Sequence, residues 1–161
     1  MWTIYLRLAL AAGFLTAVTD RFGLWGAPGT ANVAWGEFHQ FAAYTGQLNP
    51  WAPTALIAPL AWFVTGAEII LSAALIAGVG TRQAALASGV LLGLFALGMT
   101  VGTGLKSALN ASVFAASAGA LALAMTGSYR WSIDAWLAST VRQSAAAPSA
   151  EQSDQRSIDA A

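Results

Sequence analysis

The stretch Thr54-Ala-Leu-Ile-Ala-Pro-Leu-Ala-Trp-Phe-Val-Thr-Gly-Ala-Glu68-Ile-Ile-Leu-Ser-Ala-Ala-Leu-Ile-Ala-Gly-Val-Gly-Thr81 decides the fold. Its only charge is Glu68. A helix needs about 20 apolar residues to cross a hydrocarbon core of about 30 Å, and this run is long enough. Two further runs of similar length, Gln83 to Leu105 and Ser107 to Tyr129, carry no charge at all. These three runs are read as spanning helices.

Composition agrees. The chain has 161 residues, of which 57% are hydrophobic and 9% charged. Soluble domains carry about 25% charged residues, so the composition argues against a soluble globular domain. A disordered chain would be poor in apolar residues. Seven basic residues balance seven acidic ones, so there is no basic surface for nucleic acid. Cysteine is absent and there is one histidine. That removes disulfides, thiol catalysis and any metal or haem site built on Cys or paired His.

Trp2 to Val18 is apolar except for Thr3 and Arg7, and Asp20-Arg21 follows. A secretory signal peptide is the competing reading. No small-x-small cleavage site precedes a soluble domain, so a retained first crossing over Thr3 to Trp25 is expected. Four crossings place the N-terminus, the Arg82 turn and the C-terminus on one side. That side holds Arg7, Arg82, Arg130 and Arg142, which makes it cytoplasmic by the positive-inside rule.

Between the first two crossings, Gly23-Leu-Trp-Gly-Ala-Pro-Gly29 reads as turns. Trp35, Phe38, Phe41, Ala42, Thr45 and Leu48 then recur at helical spacing, while Glu37, Gln40 and Gln47 avoid that stripe. This predicts an amphipathic helix at the membrane interface. The fold expected is all-α: a polytopic membrane four-helix bundle over residues 1–129, with this interfacial helix between helices 1 and 2. Residues 130–142 are expected to form a second amphipathic helix, and 143–161 a disordered tail.

Apolar surface does not drive association within lipid, so small residues must allow close approach. Gly89 and Gly93 in the third crossing, with Ala116, Gly119 and Ala120 in the fourth, are the expected packing positions.

Glu68 lies near the bilayer centre, where a charged carboxyl costs about 2.5–3.5 kcal/mol on insertion scales. Thr65 and Ser72 share its helix face, and Arg7, or Arg21 from the same helix, is a candidate partner. These residues form either a proton-binding or ligand-binding site or a satisfied buried acid that fixes packing. In the outer segment, Trp35, Glu37, His39, Phe41 and Tyr44 are candidates for the mouth of a site taking an aromatic amphipathic molecule such as a quinone. Ordinary interfacial aromatic residues are the competing account. Asp20-Arg21 reads as a local ion pair or a helix terminus. There is no phosphate loop, nucleophile elbow or catalytic triad, so no catalytic residue and no intrinsic cofactor is expected.

The chain resembles the DoxX/DoxD-like membrane proteins. The resemblance rests on Arg7 followed by Leu10-Ala-Ala-Gly-Phe-Leu15 and the closing Asp20-Arg21. It also rests on Glu68 with Leu71, Leu75 and Gly78, closing on Gly80-Thr-Arg82-Gln-Ala-Ala85. The loop from Trp25-Gly-Ala-Pro-Gly29 through Trp35-Gly, Phe38 and Tyr44 to Leu48-Asn49-Pro50 is similar to one branch of that family. It covers residues 4–126. Many relatives carry Lys near the end of the first helix, where this chain has Asp20-Arg21, so no ligand role transfers to that position. The resemblance implies a four-helix protein of the bacterial inner membrane and redox partners linked to the quinone pool.

The function expected is therefore an accessory subunit of a membrane redox complex rather than a self-sufficient enzyme. Its partners would be the lipid bilayer and redox-complex subunits, with oligomerisation left open. The alternatives are a small-solute or proton-coupled carrier using Glu68, and a ligand-free assembly or structural protein.

Overall fold

The computed structural model describes residues 1–127, 129, 131–136 and 139–140. Among them there are helices and no strand. The elements are α1 (Trp2–Arg21), α2 (Phe38–Leu48), α3 (Thr54–Ala77), α4 (Thr81–Gly102), α5 (Leu105–Asn110) and α6 (Val113–Met125).

Helices α1, α3 and α4 have 20, 24 and 22 residues and are apolar enough to cross a membrane. At 1.5 Å per residue they run about 30 Å or more. Their outward faces are apolar: Leu8 and Leu15 on α1, Phe63 and Ile70 on α3, and Val90, Leu94 and Leu97 on α4 are exposed. Contiguous apolar faces of this kind exceed what a soluble monomer shows to water.

The uncharged run expected to form a fourth crossing is interrupted. α5 ends at Asn110, and Ser112 takes a left-handed φ of 55° before α6 begins. Asn and Ser side chains compete for backbone hydrogen bonds and favour such breaks. The 13 residues of α6 reach about 20 Å, short of a full crossing.

α1 packs on α3, α3 on α4, α4 on α6, and α6 on α1. The main core lies between them, with Phe14, Leu75, Ala85 and Leu123 buried. The α4–α6 contact is close. A Cβ on Gly89 would sit 2.6 Å from Leu121 Cδ2, and Ser117 Oγ donates to the Gly89 carbonyl at 2.7 Å. Gly93 faces the Ser117 hydroxyl, Ala120 is fully buried, Ala116 is half-buried, and Gly119 looks towards Leu6 of α1.

The α2 stripe faces inward. Phe41, Thr45 and Leu48 are buried against α3 and α4. The spacing of the amphipathic helix holds, but its apolar side is used on protein, where Gly98 and Gly102 of α4 let the Gln47–Leu48 backbone approach.

At the opposite end, the α3–α4 turn is held from both sides. Ala74 O accepts from the N–H groups of both Gly78 and Val79, which leaves the Leu75 and Ile76 carbonyls. Arg7 fills that need, with Nε 2.8 Å from Leu75 O and Nη2 3.0 Å from Ile76 O, and its Nη1 reaches Trp131 O at 3.1 Å. A cation at a helix C-terminus is also favoured by the helix dipole. Asp134 caps α4, accepting from Gly80 N–H at 2.9 Å and Thr81 N–H at 2.8 Å. Partial burial pushes that carboxyl up. The Thr81 and Gly80 donors and the Arg7 charge outweigh it, so Asp134 sits below the ordinary carboxylate value. Residues 133–136 are helical. The rest of the amphipathic helix expected over 130–142, apart from Trp131, Ser132, Ser139 and Thr140, lies outside the described residues, as does the tail over 143–161.

Candidate functional site

α1 ends in a glycine-terminated turn. Leu24 N–H returns to Thr19 O and Gly23 N–H to Asp20 O, with Gly23 at φ +73°. Such an ending needs a left-handed residue, which glycine supplies without a Cβ clash. It leaves Asp20 and Arg21 side by side in sequence but directed to different partners.

Arg21 turns into the helices and is 1% exposed. Its Nη1 lies 2.6 Å from Glu68 Oε2 and its Nη2 3.0 Å from Oε1. Nη1 also donates to Thr65 Oγ1 at 2.9 Å, and Thr65 in turn donates to Ala61 O at 2.9 Å. Ser72 Oγ returns to the Glu68 carbonyl at 2.6 Å. The Phe41 ring lies 3.6 Å from the guanidinium carbon, and Trp35 lies 5.3 Å from it. The cation is thus met by a carboxylate, a hydroxyl and the faces of two rings, the arrangement a buried guanidinium needs. Arg21 Nε is buried without a hydrogen-bond partner.

Glu68, Thr65 and Ser72 therefore share one buried face of α3, and Arg21 joins them. Arg7 does not. It serves the carbonyls two turns further along α3, because α1 and α3 run antiparallel and its end of α1 lies beside Leu75 and Ile76. Asp20 and Arg21 are not a local pair either. Asp20 Oδ2 accepts the Trp35 N–H at 2.8 Å, which pins the connecting loop over the end of α1.

Two clefts open at this end. One, of about 540 Å³, is lined by Pro28, Gly29, Ala34, Trp35, Gln40, Ala43, Tyr44 and Gln47. That volume is in the usual range for small-molecule sites, about 300–1,000 Å³. Of the residues proposed from sequence as a mouth, Trp35 and Tyr44 line it. Phe41 does not, because it is fully buried beneath, against Arg21. Glu37 and His39 are exposed and line neither cleft. Gln40 and Gln47 were not singled out. Tyr44 flanks the buried stripe and Gln40 and Gln47 stand on the exposed side next to it, a grouping that the helical periodicity already contained. Burial pushes the Tyr44 phenol above its ordinary value, so it remains a hydroxyl at the cleft.

The second cleft, of about 320 Å³, runs along the outer side of α1 and is lined by Gly13, Thr16, Ala17, Asp20, Trp25, Asn32, Ala34 and Trp35. No group of three or more His, Asp or Glu side chains able to hold a metal occurs among the described residues.

No family model, curated protein or solved structure matches the chain.

Proposed function

We propose that the chain is a DoxX-like four-crossing protein of the bacterial inner membrane, with both termini cytoplasmic, in which α5 and α6 together make the fourth crossing. In this reading it is an accessory subunit of a membrane redox complex and takes an aromatic head group of the quinone class in the Trp35–Tyr44 cleft. The observation that carries the reading is that cleft: an indole and a phenol beside the two glutamine side chains of Gln40 and Gln47, in an open space of about 540 Å³. Rings stack on indole faces, and amide N–H groups donate to quinone carbonyls. With no cysteine and one histidine in the sequence, this reading gives the redox chemistry to a partner.

Glu68 has a structural part in this reading. Its Oε1 accepts from Arg21 Nη2, its Oε2 meets Nη1 as an ion contact without a hydrogen bond, and it lines neither cleft. That weighs against the carrier alternative, which needs a carboxyl open to its cargo.

The test is extraction in a mild detergent, followed by mass-spectrometric identification of bound quinone and of copurified subunits. A quinone that is retained by the native chain and lost with Trp35→Leu supports the proposal. A quinone-free preparation that also fails to bind a soluble quinone analogue refutes it.

A further inference from the structure

The buried charges at the end of α1 do not balance. Arg21 and Glu68 neutralise each other, and theirs is the only ion pair among the described residues. Asp20 is 5% exposed, yet its polar partner is a single neutral donor, the Trp35 N–H on Oδ2. Among the described residues, Oδ1 accepts no hydrogen bond. Oδ1 is not among the buried side-chain atoms left without a partner, so it remains accessible and can meet a cation.

The second cleft is where that cation would sit. Asp20 lines it together with Trp25, Trp35, Asn32 and Thr16. Indole faces attract soft organic cations. Hard metal ions want several oxygen ligands, and here there is one carboxylate with no second acid beside it. Trp25 is held in place by its Nε1, which donates to Thr19 Oγ1 at 2.8 Å. The cleft floor includes Gly13, where nothing lies within 4 Å of an added Cβ, so it opens sideways along the apolar outer face of α1.

We propose that this cleft binds an organic ammonium group, with Asp20 as counter-ion and Trp25 and Trp35 as aromatic walls. The group is carried either by a zwitterionic lipid such as phosphatidylethanolamine or by a soluble amine. The sideways opening suits the lipid, whose head would reach Asp20 while its chains lie along α1.

The experiment uses the purified full chain in nanodiscs and in detergent. Native mass spectrometry compares retention of phosphatidylethanolamine with that of phosphatidylglycerol, while tryptophan fluorescence follows titration with ethanolamine and with tetramethylammonium. The expected result is selective retention of the ethanolamine lipid, weakened about tenfold to a hundredfold by Asp20→Asn, the range for losing a hydrogen bond to a charged group. Saturable binding of the soluble ammonium ions with no lipid preference supports the same site with a soluble amine as its source. Equal retention of both lipids together with no saturable response to either ammonium ion overturns the proposal. So does unchanged binding in a folded Asp20→Asn variant. If Asp20→Asn does not fold, Trp25→Ala carries the test, because that ring is 59% exposed; unchanged ammonium binding in it refutes the site.

Discussion

Removing Arg21 should destabilise the protein more than removing Arg21 and Glu68 together. Arg21→Met leaves the Glu68 carboxyl at 3% exposure with no cation among the described residues. Breaking a buried pair by deleting one partner costs about 3–5 kcal/mol. Glu68→Gln is milder, because the amide oxygen still accepts from Arg21 Nη2 while the ion contact at 2.6 Å is lost. The loss expected is about 1.5–3 kcal/mol, the range for hydrogen bonds to charged groups.

The double variant Arg21→Met/Glu68→Leu places two apolar chains in the buried space beside Phe41. Replacing a buried pair with well-packed apolar residues is often neutral or stabilising. It should therefore fall within about 1 kcal/mol of the parent, well above either single variant. The assay is reversible unfolding in mixed micelles followed by circular dichroism, run as a double-mutant cycle. Additive losses would refute the reasoning, since they would mean that the two side chains act independently.

Other outcomes follow from the same geometry. Gly89→Ala should lose about 1–3 kcal/mol, because its Cβ would fall 2.6 Å from Leu121, whereas Gly93→Ala, which meets only Ser117 Oγ at 3.4 Å, should lose less; melting temperatures in detergent compare them. Gly78→Ala should be more harmful than a typical helix-end change, since φ is +71° and the new Cβ would lie 2.5 Å from Arg7 Nη2 and from Ser132 Cβ; the same melting assay reads it. Asp134→Ala should cost about 0.5–2 kcal/mol at pH 7, the range for removing a helix cap. Because the folded-state value of Asp134 is lowered, its contribution is present above the unfolded carboxylate value and is lost as pH falls through the folded one. The gap between parent and Asp134→Ala should therefore narrow on acidification, and a gap constant with pH would refute the contribution of the carboxylate charge.

The parts of the fold visible in the sequence were those that depend on counting. Apolar length with few charges marked α1, α3 and α4, and helical spacing marked the buried stripe of α2. Hydropathy could not see the break at Asn110–Ser112, since a left-handed φ at Ser112 leaves the apolar content unchanged. Nor could it say that the α2 stripe faces α3 and α4, because a stripe that meets protein and one that meets lipid have the same composition. The site shows the same division. The shared face of Thr65, Glu68 and Ser72 follows from one helix and was legible. The choice between Arg7 and Arg21 depends on the offset between two antiparallel helices, which a single helix does not encode.

That offset explains why both arginines are kept at opposite ends of α1. With α3 antiparallel, Arg7 lies beside the α3 C-terminus, where the Leu75 and Ile76 carbonyls lack backbone partners. Arg21, 14 residues along and thus about 21 Å away, meets the one acid in the middle of α3. Each arginine answers a demand created by the other helix, one from unpaired carbonyls and one from a carboxylate. Sliding α1 by a single turn would leave both unmet at once. The two contacts together therefore fix the register of α1 on α3 far more tightly than apolar packing in lipid does. Only Asp20 lies outside this scheme. It sits at the same turn as Arg21 but holds the connecting loop through the Trp35 N–H instead of a group on α3.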